Sequence, residues 1–96
     1  EIRVSGSLTR HYSPRAKVEI EAQVNKGDGF IALSDIETPT GAIRLAAPES
    51  INDYGRVLYS ALRSGDTQNL ARIVVIPPQG DGLAAAIRDR ISRASA

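Results

Sequence analysis

Cysteine, methionine and tryptophan are all missing from this chain, and histidine occurs once, as His11. Without cysteine there is no disulfide, no thiolate metal ligand and no cysteine nucleophile. Any Ser-His-Asp arrangement must use His11, and metal ligation by it has no second His or Cys to join. Aromatics are scarce, at one Phe and three Tyr, too few for the stacked platforms that hold single-stranded nucleic acids. Charge of neither sign dominates: 12 Lys and Arg face 11 Asp and Glu, for a formal net charge of +1. The marked basic excess of a dedicated DNA or RNA binder is therefore lacking. No apolar run approaches the roughly 20 residues of a membrane helix, and Glu1-Ile2-Arg3-Val4 does not read as a signal peptide. A chain without Met at its start reads as processed or cut from something longer. Freedom from cysteine fits a reducing cytoplasm.

What is present suits one globular domain: 96 residues, 42% hydrophobic and 24% charged. Residues 1–16 hold small and polar residues and Pro14, with no sustained period, and read as an arm or linker. The arm is expected to be mobile through residue 13, or held there by crystal or subunit contacts, with the folded domain running over 17–96. Lys17 to Val24 alternates apolar and polar, which predicts a half-buried strand. The turn cluster Asn25 to Gly29 leads into Phe30-Ile31-Ala32-Leu33, a buried strand. Pro39 and Gly41 mark a loop, and Ile43 to Ala46 is a weaker strand closed by Pro48.

Ser50 with Asp53 opens a helix over about 50–64 in the manner of a capping box. Tyr54, Val57, Leu58, Ala61 and Leu62 fall on one face of it, and Gly65 is its stop signal. Arg72 to Ile76 is β-branched, short and stopped by Pro77-Pro78, the strongest strand of the chain. Asp81 is placed to cap a last helix over about 81–94, with Leu83, Ile87 and Ile91 on its apolar side. The alternation of strands and helices predicts an α/β fold: a small Rossmann-like sandwich of about four strands, mixed or mainly parallel, with two main helices.

Few residues carry chemistry. Gly80-Asp81-Gly82 follows a strand and opens a helix, the context of an anion site, but the third glycine is missing and Asp81 would repel phosphate. Arg88, Arg90 and Arg93 make a helix face that Asp89 interrupts, which reads as solvated surface before it reads as an RNA contact. His11 alone reads as a solvated or packing residue. His11 and Tyr12 together, adjacent polar aromatics with Pro14 fixing the chain behind them, also suit a contact reaching to a ligand on another domain. Tyr12 lies outside every predicted core stripe.

Three segments resemble, in order and spacing, the C-terminal domain of the long-form L-threonylcarbamoyladenylate synthases. They are Ser5-Gly6 through His11-Tyr12-Ser13-Pro14, Tyr54 through Arg63 with Asp66, and Gly82 through Ala94. The resemblance implies a tRNA-modification enzyme, a nucleotidyltransferase that joins threonine, bicarbonate and ATP into threonylcarbamoyl-AMP and releases pyrophosphate. It places the chemistry, and the binding of ATP and threonine, in an N-terminal YrdC-type domain of the same protein. This chain would then hold no catalytic residue, no metal and no cofactor of its own, and would not be catalytic alone. Carried over by position, Ser5, Gly6, His11, Tyr12 and Pro14 form a lid over that catalytic cavity, anchored by the α/β domain, with Tyr12 the foremost ligand contact. No membrane and no strong nucleic-acid partner is implied. Ser5 stands where the family commonly has Pro, and Gly55 where it has Ala. The family often has a helix between its first two strands; here Asn25 to Gly29 alone intervene, which suggests a hairpin. The rival reading is a stand-alone Rossmann-like interaction module with no ligand role for the arm.

Overall fold

Four short apolar segments form a single parallel sheet in the computed structural model, which describes residues 12–96. They are β1 (Lys17–Ile20), β2 (Gly29–Ile31), β3 (Ile43–Ala46) and β4 (Arg72–Val75), in the spatial order β1-β4-β2-β3. Two helices, α1 (Ile51–Thr67) and α2 (Leu83–Ser95), complete the α/β fold.

The most apolar strand takes an interior position. Ile73, Val74 and Val75 of β4 have no exposed surface at all, so β4 must be covered on both faces and both edges. It pairs in parallel with β1 on one side and β2 on the other. The expected hairpin of β1 and β2 is therefore absent: β4 lies between them. Residue Glu21, at φ 51°, turns the chain out of β1, so that strand ends at Ile20 and not at Val24. Ala22 and Val24 then cross the sheet and pack with Phe30, Ala32 and Val74 on the face away from the helices. The alternation read as one long strand is in fact a strand followed by an extended crossover.

Period two along the strands sorts the other face. Val18, Ile31, Ile73 and Val75 point to the helix side, where they meet Tyr54, Leu58 and Leu62 of α1 and Ile87 and Ile91 of α2. Helix α1 lies against β3, α2 lies against β1, and the two helices touch. Gly65 is what lets α1 come close: a Cβ there would stand 2.6 Å from Ile73 Cδ1. Its role is packing inside the helix. The stop lies further on, in a Schellman turn with Asn69 at φ 60°. There the Leu70 N–H donates to the Gly65 carbonyl (3.0 Å) and the Asn69 N–H to the Asp66 carbonyl (2.9 Å).

The helix starts follow sequence chemistry once and depart from it once. The Ser50 side chain accepts from the Asp53 N–H at 3.1 Å, as its spacing predicts. At α2 the cap is Gly82, at φ 64° and ψ −120°, with no side-chain cap bond; Asp81 does not cap it. That backbone conformation admits glycine far more readily than aspartate.

Arg44 finishes the sheet. Its guanidinium stands 5.2 Å from the Phe30 ring centroid and donates to the carbonyls of Ala46, Ile36, Ala32 and Leu33 and to Thr38 Oγ1, at 2.8–2.9 Å. One planar fork thus ties the β2–β3 loop to the end of β3.

Candidate functional site

The arm meets the domain at the last turn of α1. Residue Asp66 is 6% exposed, and its carboxylate faces the incoming chain. It accepts hydrogen bonds from the Tyr12 hydroxyl, from the Arg15 N–H (3.0 and 3.1 Å to its two oxygens) and from the Ala16 N–H (3.0 Å). The Arg15 guanidinium reaches past them to the Asp66 main-chain carbonyl at 2.8 Å. One turn earlier on α1, Arg63 stands over the Tyr12 ring, 5.9 Å from its centroid. Ala16 is buried and β1 begins at the next residue, so the clasp sits directly on the first edge strand.

Electrostatics favour this arrangement with Asp66 ionised. Burial pulls its carboxyl upward, but the hydrogen bonds from Tyr12, Arg15 and Ala16 and the Arg15 charge outweigh burial and hold it below the usual carboxylate value. Burial, then the hydrogen bond and charge of Asp66, push the Tyr12 hydroxyl above its usual value. The pair is thus fixed as neutral phenol donor and carboxylate acceptor across the neutral range.

Of the five positions expected in a lid, Tyr12 and Pro14 are described, while Ser5, Gly6 and His11 lie outside the described residues, as do all but residues 12 and 13 of the segment 1–13 expected to be mobile or held by outside contacts. Tyr12 is half-buried and packs on the main core, and Pro14 is half-buried two residues on. The expectation that Tyr12 stands clear of the core does not hold; its hydroxyl is occupied by this domain's own Asp66. Sequence reasoning included Asp66 in a motif and gave it no role. A signal was there: an acidic residue in the last turn of a helix opposes the helix dipole, and no basic residue offsets it in that turn.

A second feature is an open groove of about 530 Å³ between the end of β3 and α1, floored by Leu45, Ala46, Val57 and Ala61. Asp53 and Arg56 stand on its rim as a 2.7 Å ion pair, and that hydrogen bond holds Asp53 below its usual value. Gly80 and Gly82 adopt positive φ in the loop before α2, as a tight helix start requires. Arg88 donates to the Pro78 carbonyl at 2.9 Å and Arg93 pairs with Asp89 at 3.0 Å, so the arginine face is partly engaged within the domain. Among the described residues no cluster of three or more His, Cys, Asp or Glu stands ready for a metal ion, and no helix is long and apolar enough to cross a membrane.

The family described as threonylcarbamoyl-AMP synthase, C-terminal domain, matches residues 1–96, the whole chain. The chain belongs to that family. Comparison with curated proteins and with solved structures gives no match. Within the family frame, the two segments that meet at the clasp are two of the three that carry the resemblance. The Tyr-x-Pro of the arm, Tyr12 and Pro14, docks at the Leu-Arg-x-x-Asp end of α1, Leu62, Arg63 and Asp66.

Proposed function

We propose that this chain is the accessory C-terminal domain of a threonylcarbamoyl-AMP synthase, and that it anchors a linker closing the catalytic site of a separate N-terminal domain. The observation that carries the reading is the clasp: four hydrogen-bonding groups of residues 12–16 converge on one buried side of α1. Four donors of residues 12–16 gathered on Asp66 at the end of a rigid helix are what an anchor for the root of an arm requires. The residues ahead of that root, Ser5, Gly6 and His11, are then the ones to reach over substrate, with Tyr12 and Pro14 setting where the reach begins.

The reaction so served is a nucleotidyl transfer. Threonine and bicarbonate condense with loss of water to the carbamate, whose oxygen attacks the α-phosphate of ATP and expels pyrophosphate. Threonine and ATP are held by the YrdC-type partner domain in the same protein, in the cytoplasm, and the product goes to tRNA modification. This domain contributes no catalytic group, no metal and no cofactor, and makes no strong contact with nucleic acid. Its contribution is exclusion of water and orientation, which can be worth several orders of magnitude in rate.

Replacing residues 5–11 by a Gly-Ser segment of equal length in the complete synthase tests the reading. Threonylcarbamoyl-AMP formation is expected to fall by about 100-fold or more, while the melting temperature of this domain stays unchanged. Full activity would refute the lid and leave the interaction-module reading, which the groove between β3 and α1 favours.

A further inference from the structure

We infer that Asp66 is a positioning residue of the synthase: by gripping Tyr12 and the Arg15 and Ala16 amides, it fixes the place and direction from which the arm leaves the domain, and so governs how well substrates are retained. The inference rests on the lid reading above and assigns a role to a residue outside the arm.

Three observations carry it. Asp66 is 6% exposed, and among the described residues the hydrogen-bond partners of its carboxylate come from residues 12–16, not from its own helix. Its position is a poor one for the helix itself, since a negative charge in the last turn faces the negative end of the dipole. The Schellman turn already closes α1 through backbone bonds alone, so the carboxylate is not needed as a cap. A buried acid that neither caps nor pairs within its own element, and is satisfied by the segment entering at residues 12–16, is explained by that segment.

The geometry also separates two functions within the clasp. The Arg15 and Ala16 amides bind carboxylate oxygens at 3.0–3.1 Å, adjoining the start of β1, and hold the edge strand. The Tyr12 hydroxyl is the contact farthest from β1 along the chain, and with Arg63 above the ring it holds the arm at residue 12. Removing the hydroxyl alone leaves the amides held and the strand in place. It frees residue 12. The perturbation therefore acts on closure more than on the fold.

The experiment uses the complete synthase with Tyr12→Phe, Asp66→Asn and the double variant, alongside the arm replacement described above. For each, kcat and KM for threonine and ATP are measured, together with the melting temperature. Loss of a hydrogen bond to a charged group corresponds to a roughly tenfold or greater weakening of the contact. KM for threonine is expected to rise about tenfold in Tyr12→Phe and in Asp66→Asn, with kcat within about twofold of wild type. The double variant should be no worse than the poorer single one, since both remove the same contact. Unchanged KM in Tyr12→Phe and Asp66→Asn, with a lowered melting temperature, would overturn the inference and make the clasp purely structural. If those variants are silent while the arm replacement abolishes activity, the inference fails and the lid reading stands. If the arm replacement is also silent, both fail.

Discussion

Replacing Asp66 by alanine removes the acceptor of three donors at once, and its cost can be worked from their surroundings. The Ala16 N–H belongs to a residue 5% exposed and finds no water in exchange. Arg15 is exposed, so its N–H regains solvent, and the half-buried Tyr12 hydroxyl does so in part. Hydrogen bonds to a charged group contribute about 1.5–3 kcal/mol each, and a buried donor left alone costs about 1–3 kcal/mol. One full loss and two partial ones sum to about 3–5 kcal/mol, a large part of the roughly 5–15 kcal/mol of a typical domain.

The pH dependence fixes the cause. Because the folded-state carboxyl of Asp66 is held below its unfolded value, its contribution is fully present above about pH 4 and is lost as pH falls through the folded value. Urea unfolding of the 96-residue chain and its D66A variant, followed by far-UV circular dichroism at pH 7 and in steps down to about pH 2.5, should show the gap between them narrowing on the acid side. A gap below about 1 kcal/mol at pH 7 would refute the ledger. So would a gap that stays constant to pH 2.5, since it would then owe nothing to the ionised carboxylate.

Other expectations follow from the same contacts. Leu58→Ala, at a position 1% exposed between α1 and the sheet, should cost about 2–5 kcal/mol in the same assay. Tyr54 is fully buried and donates to the Ile76 carbonyl at 2.7 Å, so Tyr54→Phe should cost about 0.5–1.5 kcal/mol. Burial raises the Tyr54 hydroxyl above its ordinary value, and Tyr12 is raised as well. Stability owed to both is therefore complete below about pH 10 and lost as pH rises beyond it, and absorbance titration should show these two phenols ionising late. Arg44→Lys keeps the charge but not the fork; it should destabilise by about 2 kcal/mol and speed amide exchange over residues 33–38.

Strand and helix identities were legible because each rests on local pattern. The run Arg72–Val75 announces a buried strand, and Ser50 with Asp53 announces a helix start, whatever surrounds them. Pairing was less legible. Five intervening residues, Asn25 to Gly29, suit a hairpin, and only the need to cover Val74 on the second face explains why the chain crosses β4. The helix cap at Gly82 was missed for a similar reason: Asp81 has the better side chain, but the required φ belongs to glycine. Arg44 carried no signal at all, since its five acceptors are brought together only by the folded loop.

The clasp shows the same limit. Tyr12 and Asp66 are 54 residues apart, and neither has a local reason to be read as a partner of the other. What the fold adds is direction. Strands of one parallel sheet all point one way, and α1 runs back against them, so its final turn lies beside the start of β1. Open sheets of this kind take ligands at the carboxyl ends of their strands. Here the arm enters at the opposite end, where β1 starts and Asp66 waits. The Gly80–Gly82 loop lies at the other end, after β4, whereas the groove runs along α1 from Asp53 to Ser64. On the anchoring role proposed above, the anchor has to sit on a rigid element beside the first strand, and Asp66, buried on a 17-residue helix packed against the sheet, meets that requirement.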